Sequence, residues 1–140
     1  MSMYGEAAVK AVQLFKDELA HSPREAWETA IAKFTDSPSS QAEGCPKSAF
    51  LGLCEAGLVM HVPAGSYTRS RLNKNYAIHA LKLLLQNPKR ADDEHSLWLE
   101  VAPKKAYHGQ VAIVISLFQN GMIVPNATIL LAAWQLGSAS

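Results

Sequence analysis

The chain has 140 residues, of which 49% are hydrophobic and 18% charged, with a formal net charge of +1. That length fits one domain and is short for two, and the apolar fraction supports a sizeable core rather than extended disorder. A balance this close to neutral gives no global attraction to nucleic acid or to an anionic membrane, so binding of either kind would need a local patch.

The opening residues, Met1 to Glu6, show no basic region followed by an apolar stretch, and no export signal is expected. Tyr4, Ala8, Ala11, Phe15 and Leu19 recur at three- and four-residue steps and predict a first amphipathic helix. Ser22-Pro23-Arg24-Glu25 opens a second. There the serine accepts from orphan amides, the proline suits the first helical position, and the glutamate completes a capping box. Trp27, Ile31 and Phe34 form its apolar stripe. Asp36 to Gly44 is polar and turn-rich and reads as a surface loop. A third helix is predicted from near Pro46 to Ala56, closed by Gly57 as a left-handed cap with Leu58 folded back on the last turn.

The second half repeats these landmarks. Ala77 to Leu84 lies over Ala8 to Phe15 at an offset of 69, Trp98 over Trp27 at 71, and Gly121 over Gly57 at 64. Pro63 and Pro125 follow in turn. The drift in offset is what loops of unequal length produce in a duplication. The expectation is therefore an all-α compact bundle, a tandem duplication of a three-helix unit, in one domain. Copy one covers about residues 3–59, a connecting loop about 60–72, and copy two about 73–123. Asp92-Asp93-Glu94, ahead of Trp98, reads as a helix cap. A further helix at about 126–136, capped by Asn126 and apolar nearly all round, is expected to be buried or to join two copies as a homodimer. It is too short, as is the run Val111 to Phe118, for the roughly 20 residues of a membrane span.

Residues present in only one copy are the better candidates for function. Cys45 in Gly44-Cys45-Pro46-Lys47 would stand at a helix N-cap, where free amides and Lys47 favour a thiolate; Gly109 occupies that place in copy two. A nucleophile or redox sensor is one reading and a packed, capping cysteine the other, since no histidine is tied to Cys45 by a local motif. Cys45 and Cys54 make no disulfide framework, so both are expected to be reduced thiols in a cytoplasmic protein. The spacing of Cys45, Cys54 and His61 lacks the close pairs of structural zinc sites, so no metal is expected, and no motif calls for a cofactor.

The second asymmetric segment joins the turn Pro63-Ala64-Gly65-Ser66 to Tyr67, Arg69, Ser70, Arg71 and Lys74, with Ser70 or Asn73 able to cap the next helix. Hydroxyls and guanidinium groups at a helix start suit phosphate or carboxylate, against the alternative of a solvated loop. The favoured reading is a binding or regulatory module whose ligand-binding residues are Lys47, Tyr67, Arg69, Ser70, Arg71 and Lys74, with an anionic small molecule or a protein as partner. A winged-helix DNA-binding protein is the alternative, with a short β-turn wing between the copies. Lys47 would be its only recognition-helix cation, which is weak support for contacts to DNA. A small enzyme using Cys45 is the third reading.

Tyr4 to Val12, Pro23 to Trp27, Gly44-Cys45-Pro46-Lys47-Ser48-Ala49-Phe50-Leu51-Gly52-Leu53-Cys54-Glu55, Pro63-Ala64-Gly65 with Tyr67-Thr68, and Asn73-Lys74 before Tyr76-Ala77 together resemble a family of small bacterial proteins known only as a domain of unknown function. The resemblance spans roughly the first 85 residues well and the rest more loosely. It implies a bacterial source and carries over no activity, ligand or catalytic residue.

Overall fold

The computed structural model describes residues 2–134. The chain folds into α1 (Met3–Lys16), α2 (Pro23–Ile31), α3 (Pro38–Gln41), α4 (Gly44–Glu55), α5 (Arg71–Gln86), a 3₁₀ turn at Pro88–Asp92, α6 (Glu94–Val101), α7 (Gln110–Gln119) and α8 (Ala127–Leu130). Side-chain caps start most of the main helices, whereas α7 starts from the left-handed Gly109. Ser22 Oγ accepts from the Glu25 amide at 3.1 Å, with Pro23 at the first turn. Ser70 Oγ caps α5 through Asn73, and Asp93 Oδ1 caps α6 through the Ser96 amide at 3.0 Å.

Helix α1 packs on α2 and α7, α5 packs on α4 and α7, and α4 packs on α7. The two tryptophans of the repeated landmarks are both in the core. Trp27 lies between Tyr4 and Phe50, and Trp98 meets Tyr76 edge-on and Tyr107 at a tilt. Such ring pairs add to the area they bury and fix how the helices seat on one another.

Helices α4 and α7 end alike. Gly57 and Gly121 take φ of 75° and 70°, and the amides of Leu58 and Met122 return to the carbonyls of Leu53 and Leu117. This is the hydrogen-bonding of a glycine-capped helix. Beyond the caps, the Met60 amide donates to the Met122 carbonyl at 2.8 Å, and the Val124 amide to the Leu58 carbonyl at 3.0 Å. Between these bonds sits the antiparallel bridge of Val59 and Ile123. The 64-residue offset converts one of these bonds into the other and maps the bridge onto itself.

The helix crossings follow the same exchange. A Cβ on Gly5 would meet Ser116 Oγ, where α1 lies on α7, and one on Gly52 would meet Lys74, where α5 lies on α4. The offsets of 69 and 64 carry Gly5 to Lys74 and Gly52 to Ser116. Each half's first helix thus crosses the other half's third helix at corresponding positions, with a glycine on one side.

Several expectations change. Among the described residues no wing forms: 60–70 contains no strand and runs as an irregular loop tied down by side chains. Helix α5 begins at Arg71, two residues before the expected copy boundary, because Ser70 rather than Asn73 supplies the cap. The polar stretch 36–44 holds the short α3, capped by Ser37. Leu19 and Phe34 fall beyond the ends of α1 and α2 and are exposed. The expected helix at 126–136 is helical only over Ala127–Leu130; Ala127 and Leu131 are buried, whereas Ile129 is 78% exposed. Gln135 and Leu136 lie outside the described residues. No helix among those described is long and apolar enough to cross a membrane.

A methyl group at residue 52 would come within 2.7 Å of the Lys74 Cα, which is backbone and cannot swing aside. Gly52→Ala is therefore expected to destabilise the fold by about 2 kcal/mol, overpacking outweighing the roughly 1 kcal/mol gain in helix propensity. Urea unfolding checks this, and a midpoint at or above the parent's would show that α4 and α5 are not in this contact.

Candidate functional site

Glu55, the last residue of α4, organises the segment between the two halves. Its Oε2 accepts from Lys74 Nζ at 2.7 Å, and its Oε1 accepts from the amides of Tyr67 at 2.8 Å and Thr68 at 3.2 Å. The Glu55 backbone carbonyl accepts from the Gly65 amide at 3.2 Å. Burial by itself would raise the Glu55 pKa. The Lys74 ammonium and the two amides outweigh it and hold the carboxyl below its usual range. Arg24 Nη2 donates to the Tyr67 carbonyl at 3.1 Å, and the Tyr67 hydroxyl donates to the Pro63 carbonyl at 2.7 Å. The loop is therefore clamped at both edges, without a sheet.

Beside this clamp opens a cleft of about 750 Å³ lined by the loop, the start of α5 and the tail. Of the residues singled out from the sequence, Arg69, Ser70, Arg71 and Lys74 line it. They are not equivalent. Lys74 is 5% exposed and neutralised by Glu55, and Ser70 Oγ is engaged by Asn73. Arg69 and Arg71 are exposed and make no ion pair or hydrogen bond among the described residues. They are the cations left available to a ligand.

Two of the sequence-predicted binding residues go elsewhere. Tyr67 is a strut inside the loop, and Lys47 pairs with Glu28 at 2.7 Å between α4 and α2. Residues the sequence did not single out complete the cleft: Glu55, and an apolar surface of Leu58, Ile78, Leu130, Leu131 and Trp134. The Trp134 carbonyl accepts from Lys82 Nζ at 2.6 Å and its ring lies 5.8 Å from that of His79, which docks the tail on α5. Glu55 carried no usable signal, because it stands 19 residues from its partner.

Cys45 occupies the second position of α4. It is not the N-cap: Glu43 is, with its carboxylate accepting from the Cys45 amide at 3.3 Å. Burial and the Glu43 carboxylate push the thiol pKa up, against an opposing hydrogen bond from Asn73. The environment therefore disfavours the thiolate that the sequence suggested. The Glu43 carboxylate lies 3.8 Å from His108 Nδ1, and Asn73 Oδ1 accepts from Gln110 Nε2 at 3.2 Å. This polar junction joins the starts of α4, α5 and α7. Cys54 is fully buried, with its pKa pushed up by the loss of solvent.

Residues 1–124 match the model of a family of unknown function (DUF6979). No curated protein and no solved structure matches the chain. The matched segment contains the clamp and both arginines; the tail that supplies Leu130, Leu131 and Trp134 follows it.

Two outcomes test this geometry. Because the folded Glu55 pKa is depressed, its stabilising contribution is complete above the usual carboxylate range and is lost as pH falls through the lowered value. Glu55→Gln strands the Lys74 charge and should cost about 3 kcal/mol at pH 7, a deficit that shrinks towards pH 3. A pH-independent deficit in urea midpoints would disprove the pairing. At pH 7 Cys45 should alkylate more slowly than a free thiol, with Glu43→Gln speeding the reaction and Cys54 reacting only on unfolding. Mass spectrometry reads this, and an unaltered rate in Glu43→Gln would remove Glu43 as the cause.

Proposed function

We propose a function for a chain that belongs to the DUF6979 family, whose function is unknown: it is a small binding module that holds an oxyanion between Arg69 and Arg71. The observation that carries this reading is the unequal treatment of three neighbouring cations. Glu55 takes up the charge of Lys74, while Arg69 and Arg71, which also line the cleft, pair with nothing among the described residues. Guanidinium groups present a fork that fits the paired oxygens of phosphate or carboxylate. The clamped loop and the capped start of α5 hold the backbone that carries Arg69 and Arg71, which reduces the ordering cost of binding.

An internal repeat accounts for why the site lies on one side only. It is supported by the exchange of the Met60–Met122 and Val124–Leu58 bonds and by the corresponding glycine crossings. Where the second half carries Lys74 against Gly52, the first has Gly5 against Ser116, with no charge to pair. The reading places the protein in the cytoplasm of a bacterium, where two unpaired thiols stay reduced.

Titrating the full chain with inorganic phosphate by NMR should shift the amides of residues 69–73. Arg69→Ala combined with Arg71→Ala should weaken binding at least tenfold, since hydrogen bonds between charged groups contribute about 1.5–3 kcal/mol each. The circular dichroism spectrum should not change. Undiminished affinity in that double variant would eliminate the loop as the site.

A further inference from the structure

Resting on the oxyanion reading above, we infer that the ligand is an amphiphilic anion, a phosphate or carboxylate that carries an apolar chain or ring. A bare oxyanion is too small for the site. The cleft holds about 750 Å³, which is within the roughly 300–1,000 Å³ of small-molecule sites. Its lining is mixed: Arg69 and Arg71 are exposed, whereas Leu58, Ile78 and Leu131 are buried. Leu130, half exposed, and Trp134 continue the apolar wall from the tail.

Inorganic phosphate at the arginines would leave Leu130 and Trp134 uncovered, and an attached apolar group would cover them. Glu55 also lines the cleft, but Lys74 and two amides occupy its oxygens, so it does not oppose an anion at the arginines. The two parts of the ligand would be read by different parts of the chain. The family-matched segment supplies the arginines, and the tail that follows supplies Leu130, Leu131 and Trp134.

The test compares inorganic phosphate, octyl phosphate, octanoate and octanol on the full-length protein by calorimetry. Octyl phosphate should bind on the order of a hundredfold more tightly than inorganic phosphate, the factor for burying about four methylene groups. Octanoate should outbind octanol. Trp134→Ala and Leu130→Ala should lower octyl phosphate affinity at least several-fold and leave inorganic phosphate unaffected. Because Trp27 and Trp98 are buried in the core, ligand-induced change in tryptophan emission should vanish in Trp134→Phe.

Equal affinity for octyl phosphate and inorganic phosphate would overturn this inference and leave the oxyanion reading standing. Failure of every anion to bind would remove both. Octanol binding as tightly as octyl phosphate would show that the head group is not recognised. Vesicles of phosphatidylcholine with phosphatidic acid separate the two sources of such a ligand. Octyl phosphate binding without vesicle binding assigns a soluble amphiphile, and binding of both, lost together in Trp134→Ala, assigns a lipid. Vesicle binding alone would overturn the cleft as the site.

Discussion

Lys74 is 5% exposed, and an ammonium group so nearly withdrawn from water is tolerable only with a counter-charge at hand. Glu55 provides it at 2.7 Å, across the closest approach of two helices, where Gly52 allows the backbone of α5 to lie against α4. Much else follows from that pair. The carboxylate's second oxygen holds the amides of Tyr67 and Thr68, so the interaction that seats α5 also sets the path of the loop. Arg24 and the Tyr67 hydroxyl secure the same loop from other directions. What emerges is a clamped loop with two guanidinium groups that pair with nothing among the described residues.

The crossing of α1 on α7 has the same glycine-mediated closeness without the charge. Gly5 meets Ser116, and Gln119 stands at the position that corresponds to Glu55. With no buried ammonium to satisfy, no carboxylate is required there and no loop is recruited around one. The bonds on either side of Val59 and Ile123 are interchangeable, yet the chemistry beside them is not.

Cys45 shows why position along a helix does not settle reactivity. An N-terminal dipole favours a thiolate, but the same N-terminus attracts a carboxylate as its cap. Here Glu43 takes that role and its negative charge opposes ionisation of the neighbouring thiol. Loss of solvent and the Glu43 charge together raise the thiol pKa.

The helices were legible from the sequence because their signals are local. Ser22-Pro23, Ser70, Asp93 and Gly57 act within four residues of themselves, and a run of apolar residues at helical spacing needs only one face to bury. Trp27 and Trp98 were recognisable as core for the same reason. The tail misled because an apolar stretch does not say which of its residues find a partner: Leu131 is covered and Ile129 is not. Arg69, Arg71 and Lys74 could be picked out as a cationic cluster, but not which charges remain free. That depends on Glu55, 19 residues from Lys74, and on apolar walls drawn from α5 and from a tail more than 50 residues further on. Sequence alone determined the main helices and the faces they bury, since those choices are made between near neighbours in the chain. Only the tertiary structure decided which cations are neutralised and where the cleft lies, because charge pairing and concavity depend on distances in space.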